Sequence, residues 1–557
     1  MKALPLLLAA LTSGVMAEPT TYRKFSVEER EGSLLACHPI AKDKKPLWAK
    51  GVAQGVAPER KKDRREPYFE GPITYVRAPR DAGEPFHSHN HQPSITWLPN
   101  GDLLAIWYST KDEKGPELTV LASRLRPGEK EWDASSEFFK AEGRNMHGSS
   151  IFHDGSGTIY HFNGMAPEGH RGWDKLALLM RKSSDNGVTW SEPLVADPEY
   201  RERNQVIAGM RKTKAGVLIQ PCDAVPGGAG GTALNLSRDG GATWTDPGEG
   251  KPSPRFTDGA QGLGTIAGIH ASVVELKDGD WLAFGRGDDL PGGLAATLDL
   301  LSKTVIRNVK LPEQTFEERV EAIEAMAREA GIAKSSLELN WADDEGTQSS
   351  MSIRAVPLFY DELSLAELVR YSTDKTKLNY RFRPRGVTFY DATSSKGPAP
   401  FQQKFMPQSI SNDEGKTWTY AASPFPPIGG GQRLTLLRLQ EGPLLLISFT
   451  NPDRRKPREG GMEFSRADGS TFTGHGMFAA ISEDEGKSWP IRKLITPGAG
   501  EFDGGAWTRK FTATPDNAEH AGYLASTQSP DGTIHLISSA LHYRFNLAWL
   551  QEAAGSP

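Results

Sequence analysis

His91, His147, His270, Arg433 and Tyr523, with Gln205 among them, stand at or near the starts of short apolar runs spread along the chain. If those runs are the inner strands of one ring, the side chains converge on a common axis. An imidazole titrates close to neutral pH and can take or give a proton there. A guanidinium holds acidic groups or hydroxyls, and a tyrosine hydroxyl can serve as a nucleophile. Gathered in a concave site, this set suits an anionic or multiply hydroxylated sugar. A second group, His87, His89 and His91 in the run HSHNH, alternates and shares one face of a strand. Three imidazoles on one face suit zinc or copper. No Cys or carboxylate with ligand spacing accompanies them, so the reading is no metal and no cofactor.

The elements that must position these residues are legible as two repeats. Four segments share S-x-D-x-G-x-[ST]-W: SSDNGVTW (Ser183 to Trp190), SRDGGATW (Ser237 to Trp244), SNDEGKTW (Ser411 to Trp418) and SEDEGKSW (Ser482 to Trp489). A weaker fifth copy runs from Ser123 to Trp132. This is hairpin-turn chemistry: the Asp accepts turn N–H groups, the Gly takes positive φ, and the Trp packs beneath. Interleaved with the boxes are six polar-Gly turns, each leading into an apolar strand, among them PNGDLLAIW from Pro99, KDGDWLAF from Lys277 and PDGTIHLI from Pro530. One small unit repeated this often predicts an all-β fold, a six-bladed β-propeller with four strands per blade.

The repeats are interrupted once. Thr315-x-x-Glu318 and Ser364-x-x-Glu367 are helix capping boxes, the first leading into a helical pattern that runs to Gly331. They predict an inserted α+β subdomain in the fourth blade, over one propeller face. The expected division is a signal peptide over 1–17 and an N-terminal segment over 18–84, part of it closing the last blade. Blades 1 to 4 then run over 85–291, the insert over 292–402, the rest of blade 4 through blade 6 over 403–550, and a tail over 551–557.

The boxes and strand pattern resemble the Asp-box (BNR) repeats of the sialidase superfamily, over about residues 85–550 outside the insert. In that family three arginines clamp a substrate carboxylate, an Asp is acid/base, and a Tyr supported by a Glu is the nucleophile. Val273 to Arg286 resembles the segment ending in the second clamp arginine, which gives that role to Arg286. Tyr523 to Ile537 resembles the segment opened by the nucleophile, which gives that role to Tyr523. Asp112 falls at the acid/base position, with Glu113 as the fallback. Three positions depart from the family. His91, in His91-Gln92-Pro93, replaces the first arginine, and His270 replaces the supporting Glu. The third arginine falls near His475, with Arg454, Arg455 and Arg466 upstream as substitutes. Histidine lacks the bidentate fork, so the arginine triad is incomplete.

The resemblance implies a retaining exo-glycosidase acting on terminal, acidic sugars of glycans. Tyr523 attacks, Asp112 is acid/base and His270 assists. Arg286, His91, Arg433, His147 and His475 bind substrate. Two alternatives stay open. One is a polysaccharide lyase or other glycosidase on uronic-acid glycans, with His147 or His270 as base. The other is a carbohydrate-binding propeller without chemistry.

Composition narrows the classes. Lys+Arg is 65 against Asp+Glu 70, a net charge of −5, which argues against a general nucleic-acid binder. Hydrophobic residues at 37% and charged residues at 24% fit a globular protein. The apolar stretch from Ala3 to Val15, with a small-x-small pattern ending at Ala17, predicts export to the periplasm or the medium. No later run is long enough for a membrane span. Cys37 and Cys222, the two cysteines present, exclude a disulfide scaffold and leave open whether they pair. Oligomeric state is not legible.

Overall fold

The computed structural model describes residues 24–30, 46–57, 63–224, 230–250, 256–292, 294–393 and 404–552. The leader over 1–17, Cys37 and residues 553–557 of the tail lie outside the described residues. Cys222 is buried and free, its sulfur accepting from Asn235 Nδ2.

Apolar runs and glycine turns alternate along the chain and build six antiparallel sheets in sequence order, five of four strands and one of five. The innermost strands are His89–Trp97, Ser149–His153, Arg211–Lys212, Ile269–Glu275, Thr435–Arg438 and Ala525–Gln528. The last of these packs on the first, so the six sheets close into a propeller. The outer strand of the sixth blade is Phe69–Thr74, which pairs antiparallel with Leu541–Phe545 in the register Phe69 to Phe545. A strand that precedes the first blade thus completes the sheet of the last, which ties the ring together and shields its edges.

The inner strands keep some N–H groups that no strand can satisfy, and hydroxyls of the neighbouring blade meet them. Ser94 Oγ accepts from Ile151 N at 2.9 Å, and Thr96 Oγ1 from His153 N at 2.9 Å. Ser272 Oγ accepts from Leu436 N at 3.1 Å, and the hydroxyls of Thr435 and Ser526 share a bond of 2.7 Å. The Ser and Thr residues of these apolar strands are therefore joints between blades.

The boxes of the second, fourth and fifth blades close the hairpin between the third and fourth strands, and that of the third blade turns Leu236 back onto Thr245. In the fourth blade Asp413 accepts from Thr417 N at 2.8 Å, Thr417 Oγ1 at 2.7 Å and Ser411 Oγ at 2.9 Å. Gly415 is left-handed (φ +82°), and a Cβ there would stand 3.2 Å from Trp281. Trp418 is fully buried and donates from Nε1 to Gly415 O at 3.1 Å. Trp418→Ala empties a large buried site, so a loss of about 3–5 kcal/mol is expected. It should appear as a lower urea midpoint with an unchanged slope. A loss under about 1 kcal/mol would show that the boxes do not anchor the blades.

Between Trp281–Arg286 and Pro407–Ser411 of the fourth blade runs the insert. Both capping boxes form, on helices Phe316–Glu329 and Leu365–Thr373. The amphipathic spacing of Phe316, Val320 and Ile323 buries them against Leu363, Leu368 and Phe389 in a core of the insert's own. Its root is a short pairing of Leu290–Pro291 with Lys404–Phe405. Among the described residues, no helix is long and apolar enough to cross a membrane.

Candidate functional site

In an antiparallel hairpin the start of the first strand and the end of the second lie at the same end. Inner-strand starts and second-strand ends of all blades therefore meet around one mouth of the axis. Blade 1 brings His91 there and blade 2 His147, just before its first strand. Blade 3 brings Asp223, the end of Leu218–Asp223. Blade 4 brings His270 and Arg286, from the start of its first strand and the end of its second. Arg433 reaches the mouth by a short parallel pairing of Gln432–Arg433 with Gly522–Tyr523, which sets it beside Tyr523.

Tyr523 is the hub. Its hydroxyl accepts from Arg286 Nη1 at 2.9 Å and lies 3.1 Å from His270 Nε2. Which of the two donates in the second contact depends on the His270 tautomer. The guanidinium carbons of Arg433 and Arg286 sit 5.1 and 5.5 Å from the centre of the Tyr523 ring. The His91 ring packs 4.0 Å from it, centre to centre. His91 is held from both sides, by Ser539 Oγ at Nδ1 (3.0 Å) and by Trp507 Nε1 at Nε2 (3.1 Å). Arg433 donates to Leu524 O and Pro93 O, and neither Arg433 nor Arg286 has a carboxylate within salt-bridge reach among the described residues. Burial lowers Arg433 to about 10, which still leaves it cationic near neutral pH. The Arg286 guanidinium thus faces the Tyr523 oxygen directly, while that of Arg433 lies over the ring.

Behind His270 stands Asp223, fully buried. Its Oδ1 accepts from His270 N at 2.9 Å, and its Oδ2 lies 3.6 Å from His270 Nδ1. Burial holds His270 well below the usual histidine range, and the charges on Arg286 and Arg433 act in the same direction. Burial pushes the Asp223 carboxyl up to about 7, against the pull of the His270 N–H and the guanidinium groups of Arg286 and Arg433.

His147 turns to the other side, where its Nε2 meets Gln92 at 3.0 Å and Gln205 at 3.3 Å. Its ring stacks on Trp173 with centres 5.1 Å apart, and burial brings it down to about 4. Backbone strain gathers at the same place. Gln92 (φ +51°), His270 (φ +53°) and Trp507 (φ +68°) are left-handed without being glycine. The first two sit on strand irregularities, between His91 and Ser94 and between Ile269 and Ser272. Such kinks re-aim side chains, and conformations of this kind cost of order 1–3 kcal/mol each.

Two expected site residues are placed elsewhere. Asp112 points outward from its loop, half exposed, and pairs with Arg171 at 2.9 Å. Glu113 is the carboxylate that faces the cluster, accepting from Tyr108 Oη at 2.6 Å and meeting His89 Nε2 at 2.9 Å. Burial alone would raise Glu113. The hydrogen bond from His89, the fields of His147 and His91 and the bond from Tyr108 outweigh it, and the carboxyl falls to about 2. His475 does not join the cluster; it feels Arg458 and Asp516 at the start of its strand. Arg454 comes closer, stacked 4.4 Å over Trp507 and donating to Gly430 O at 2.7 Å. Arg455 pairs with Asp453, and Arg466 stacks on Phe472. Among the described residues, no three His, Cys, Asp or Glu side chains are grouped to hold a metal ion.

Sequence reasoning passed over Asp223, Trp507 and Trp173. Asp223 carried a readable signal: it ends the second strand of its blade, the place Arg286 holds in the next. The tryptophans carried none, because they lie in loops whose path only the folded ring defines.

Glu519, beneath the Trp507 loop, accepts from Tyr543 Oη at 2.9 Å and Thr508 Oγ1 at 3.2 Å. Burial raises it from 4.5 to about 8 despite these bonds. Between those two values the folded state holds one proton more than the unfolded chain, so stability falls as pH rises through the window. The slope approaches about 1.4 kcal/mol per pH unit. Glu519→Gln removes this titration. The stability of the variant relative to wild type should therefore rise steadily from about pH 5 to pH 8 in urea unfolding. A difference that does not change with pH would contradict the assignment.

Comparison with known proteins gives one family model, the BNR repeat-like domain, matched by residues 101–303. The repeat resemblance is borne out over that segment. No curated protein matches the chain. Among solved structures, a protein of unknown function from Dyadobacter fermentans is similar, with 13% identity and a TM-score of 0.44, covering 86% of this chain and 99% of that one. The NanB sialidase from Streptococcus pneumoniae has 11% identity and a TM-score of 0.45, over 86% and 71% of the two chains. The intramolecular trans-sialidase from Ruminococcus gnavus has 12% identity and a TM-score of 0.42, over 86% and 98%.

Proposed function

We propose that this propeller, with its BNR repeat-like domain, is an exported glycosidase that removes terminal acidic sugars from glycans, with retention of configuration. The observation that carries the reading is the Tyr523 hydroxyl, set between the Arg286 guanidinium and the His270 imidazole. Arg286, Arg433 and, at the rim, Arg454 supply positive charge to hold an acidic group. Trp507 and Trp173 offer flat faces to a sugar ring. The apolar leader over 1–17 supports export.

In the first step Tyr523 Oη bonds to the anomeric carbon as the glycosidic bond breaks, and its proton passes to His270 Nε2. An uncharged phenol that becomes anionic only as it attacks avoids the repulsion a carboxylate nucleophile would meet from an acidic sugar. The leaving oxygen takes a proton from the His89–Glu113 pair, which replaces Asp112 in the acid/base role. In the second step water attacks the same carbon and returns a proton to the same His89–Glu113 pair. The departing Tyr523 oxygen recovers its own proton from His270. Both pairs return to their starting state.

The test is sugar release from aryl glycosides that include a sialoside and uronides. Release of an acidic sugar supports the reading, and silence across the panel counts against it. The 3.1 Å approach of Tyr523 to His270 also favours a second reading. In a lyase on uronic-acid glycans, His270 would take the proton beside the carboxylate and Arg286 would neutralise that carboxylate. A rise in ultraviolet absorbance from unsaturated products marks this case.

A further inference from the structure

We infer that Asp223 is a positioning residue for the reaction: it fixes His270 in the tautomer whose Nε2 is free to take the Tyr523 proton. The inference rests on the glycosidase reading for its kinetic consequence, and on geometry alone for the contact itself.

A neutral imidazole has one N–H and one bare nitrogen, and its neighbours decide which is which. Tyr523 needs His270 Nε2 bare, because its hydroxyl already accepts from Arg286 and has its proton left to give. The proton of His270 then sits on Nδ1. Nδ1 is buried with no hydrogen-bond partner within normal reach, and so is Asp223 Oδ2, the two lying 3.6 Å apart. Two orphaned, complementary atoms facing each other mark a contact that tightens when charge develops. The other oxygen of Asp223 accepts from His270 N, which steadies a histidine in the left-handed region. One carboxylate thus holds both the backbone and the ring of His270.

The proton balance is simple. When Tyr523 bonds to the anomeric carbon, its proton moves to His270 Nε2 and the ring becomes imidazolium. The Nδ1 proton stays in place, and the negative charge of Asp223 offsets the new positive charge. On hydrolysis the Nε2 proton returns to Tyr523. The charged and titratable groups facing His270 are Asp223, Arg286, Arg433, Tyr523, His91 and His147. Of these, only Asp223 is an acid, so without it the imidazolium faces positive charge alone.

Asp223→Asn tests this, since an amide keeps the shape and reverses the preferred tautomer. The expected result is a fall in kcat of about 10³-fold with KM little changed, and loss of the acidic limb of the kcat/KM profile near neutral pH. Asp223→Glu should recover part of the rate. A second readout needs no turnover: proton spectra of the full chain should show the His270 ring N–H, which burial protects from exchange. That signal should vanish in His270→Gln and move in Asp223→Asn. An Asp223→Asn variant that melts like wild type and keeps its rate and pH profile would overturn the inference. If wild type turns over no glycoside, the glycosidase reading fails by itself. The spectrum then decides the contact, and a His270 signal unmoved by Asp223→Asn overturns it.

Discussion

Tyr523→Phe abolishes sugar release while leaving sugar binding in place. The ring stays between Arg433 and Arg286 and against His91, so the pocket keeps its shape. Only the oxygen that attacks is lost. Removing a covalent nucleophile lowers kcat by roughly 10³-fold or more, whereas removing one hydrogen bond to a bound sugar costs about 1 kcal/mol. Steady-state rates should therefore collapse, while calorimetric titration with the released sugar gives a Kd within about tenfold of wild type. A variant that keeps a tenth of the wild-type kcat would remove Tyr523 from the chemistry.

Arg286→Met has the second largest effect, and its direction is selective. Arg286 donates to the Tyr523 hydroxyl and to Gln432 O, and among the described residues no carboxylate within salt-bridge reach competes for it. An acidic sugar would complete that pair. Losing one member of a hydrogen-bonded, desolvated charge pair costs about 2–5 kcal/mol, so kcat/KM on an acidic glycoside should fall roughly 30- to 4,000-fold. A neutral glycoside should lose much less. Arg286→Lys should recover only part of the activity, because an ammonium is a point charge without the planar fork. Equal losses on acidic and neutral substrates would mean that Arg286 serves Tyr523 alone and does not select the acid.

The fold was legible because its signals are local. The box from Ser411 to Trp418 names its own turn: each hydrogen bond of Asp413 runs to a residue within four positions. The capping boxes at Thr315 and Ser364 are equally local, and both formed. The site was legible in part. Tyr523, His270, His91, Arg286 and Arg433 stand together because each marks a strand start or end that the repeat itself announces. Asp112 and Glu113 were not told apart, because sequence spacing fixes a loop but not which of two adjacent acids meets His89 and Tyr108. Trp507 was invisible, since its contact with His91 joins residues 416 positions apart. The departures from the family pattern are where physical reasoning is most informative. The histidine at 270, 3.1 Å from the Tyr523 hydroxyl, leaves a proton to be placed, and the buried acid behind it, Asp223, is the group we infer places it.

The central claim is that Tyr523 bonds to the sugar during turnover. The most direct test is mass analysis of the Tyr523 peptide after quenching a reaction with a fluorinated analogue of the best glycoside, one that slows the second step. The expected result is a peptide heavier by one glycosyl unit, with the mass on Tyr523, and no such species in Tyr523→Phe. An unmodified Tyr523 in an enzyme that still releases sugar, or a glycosyl group carried on another residue, would contradict it.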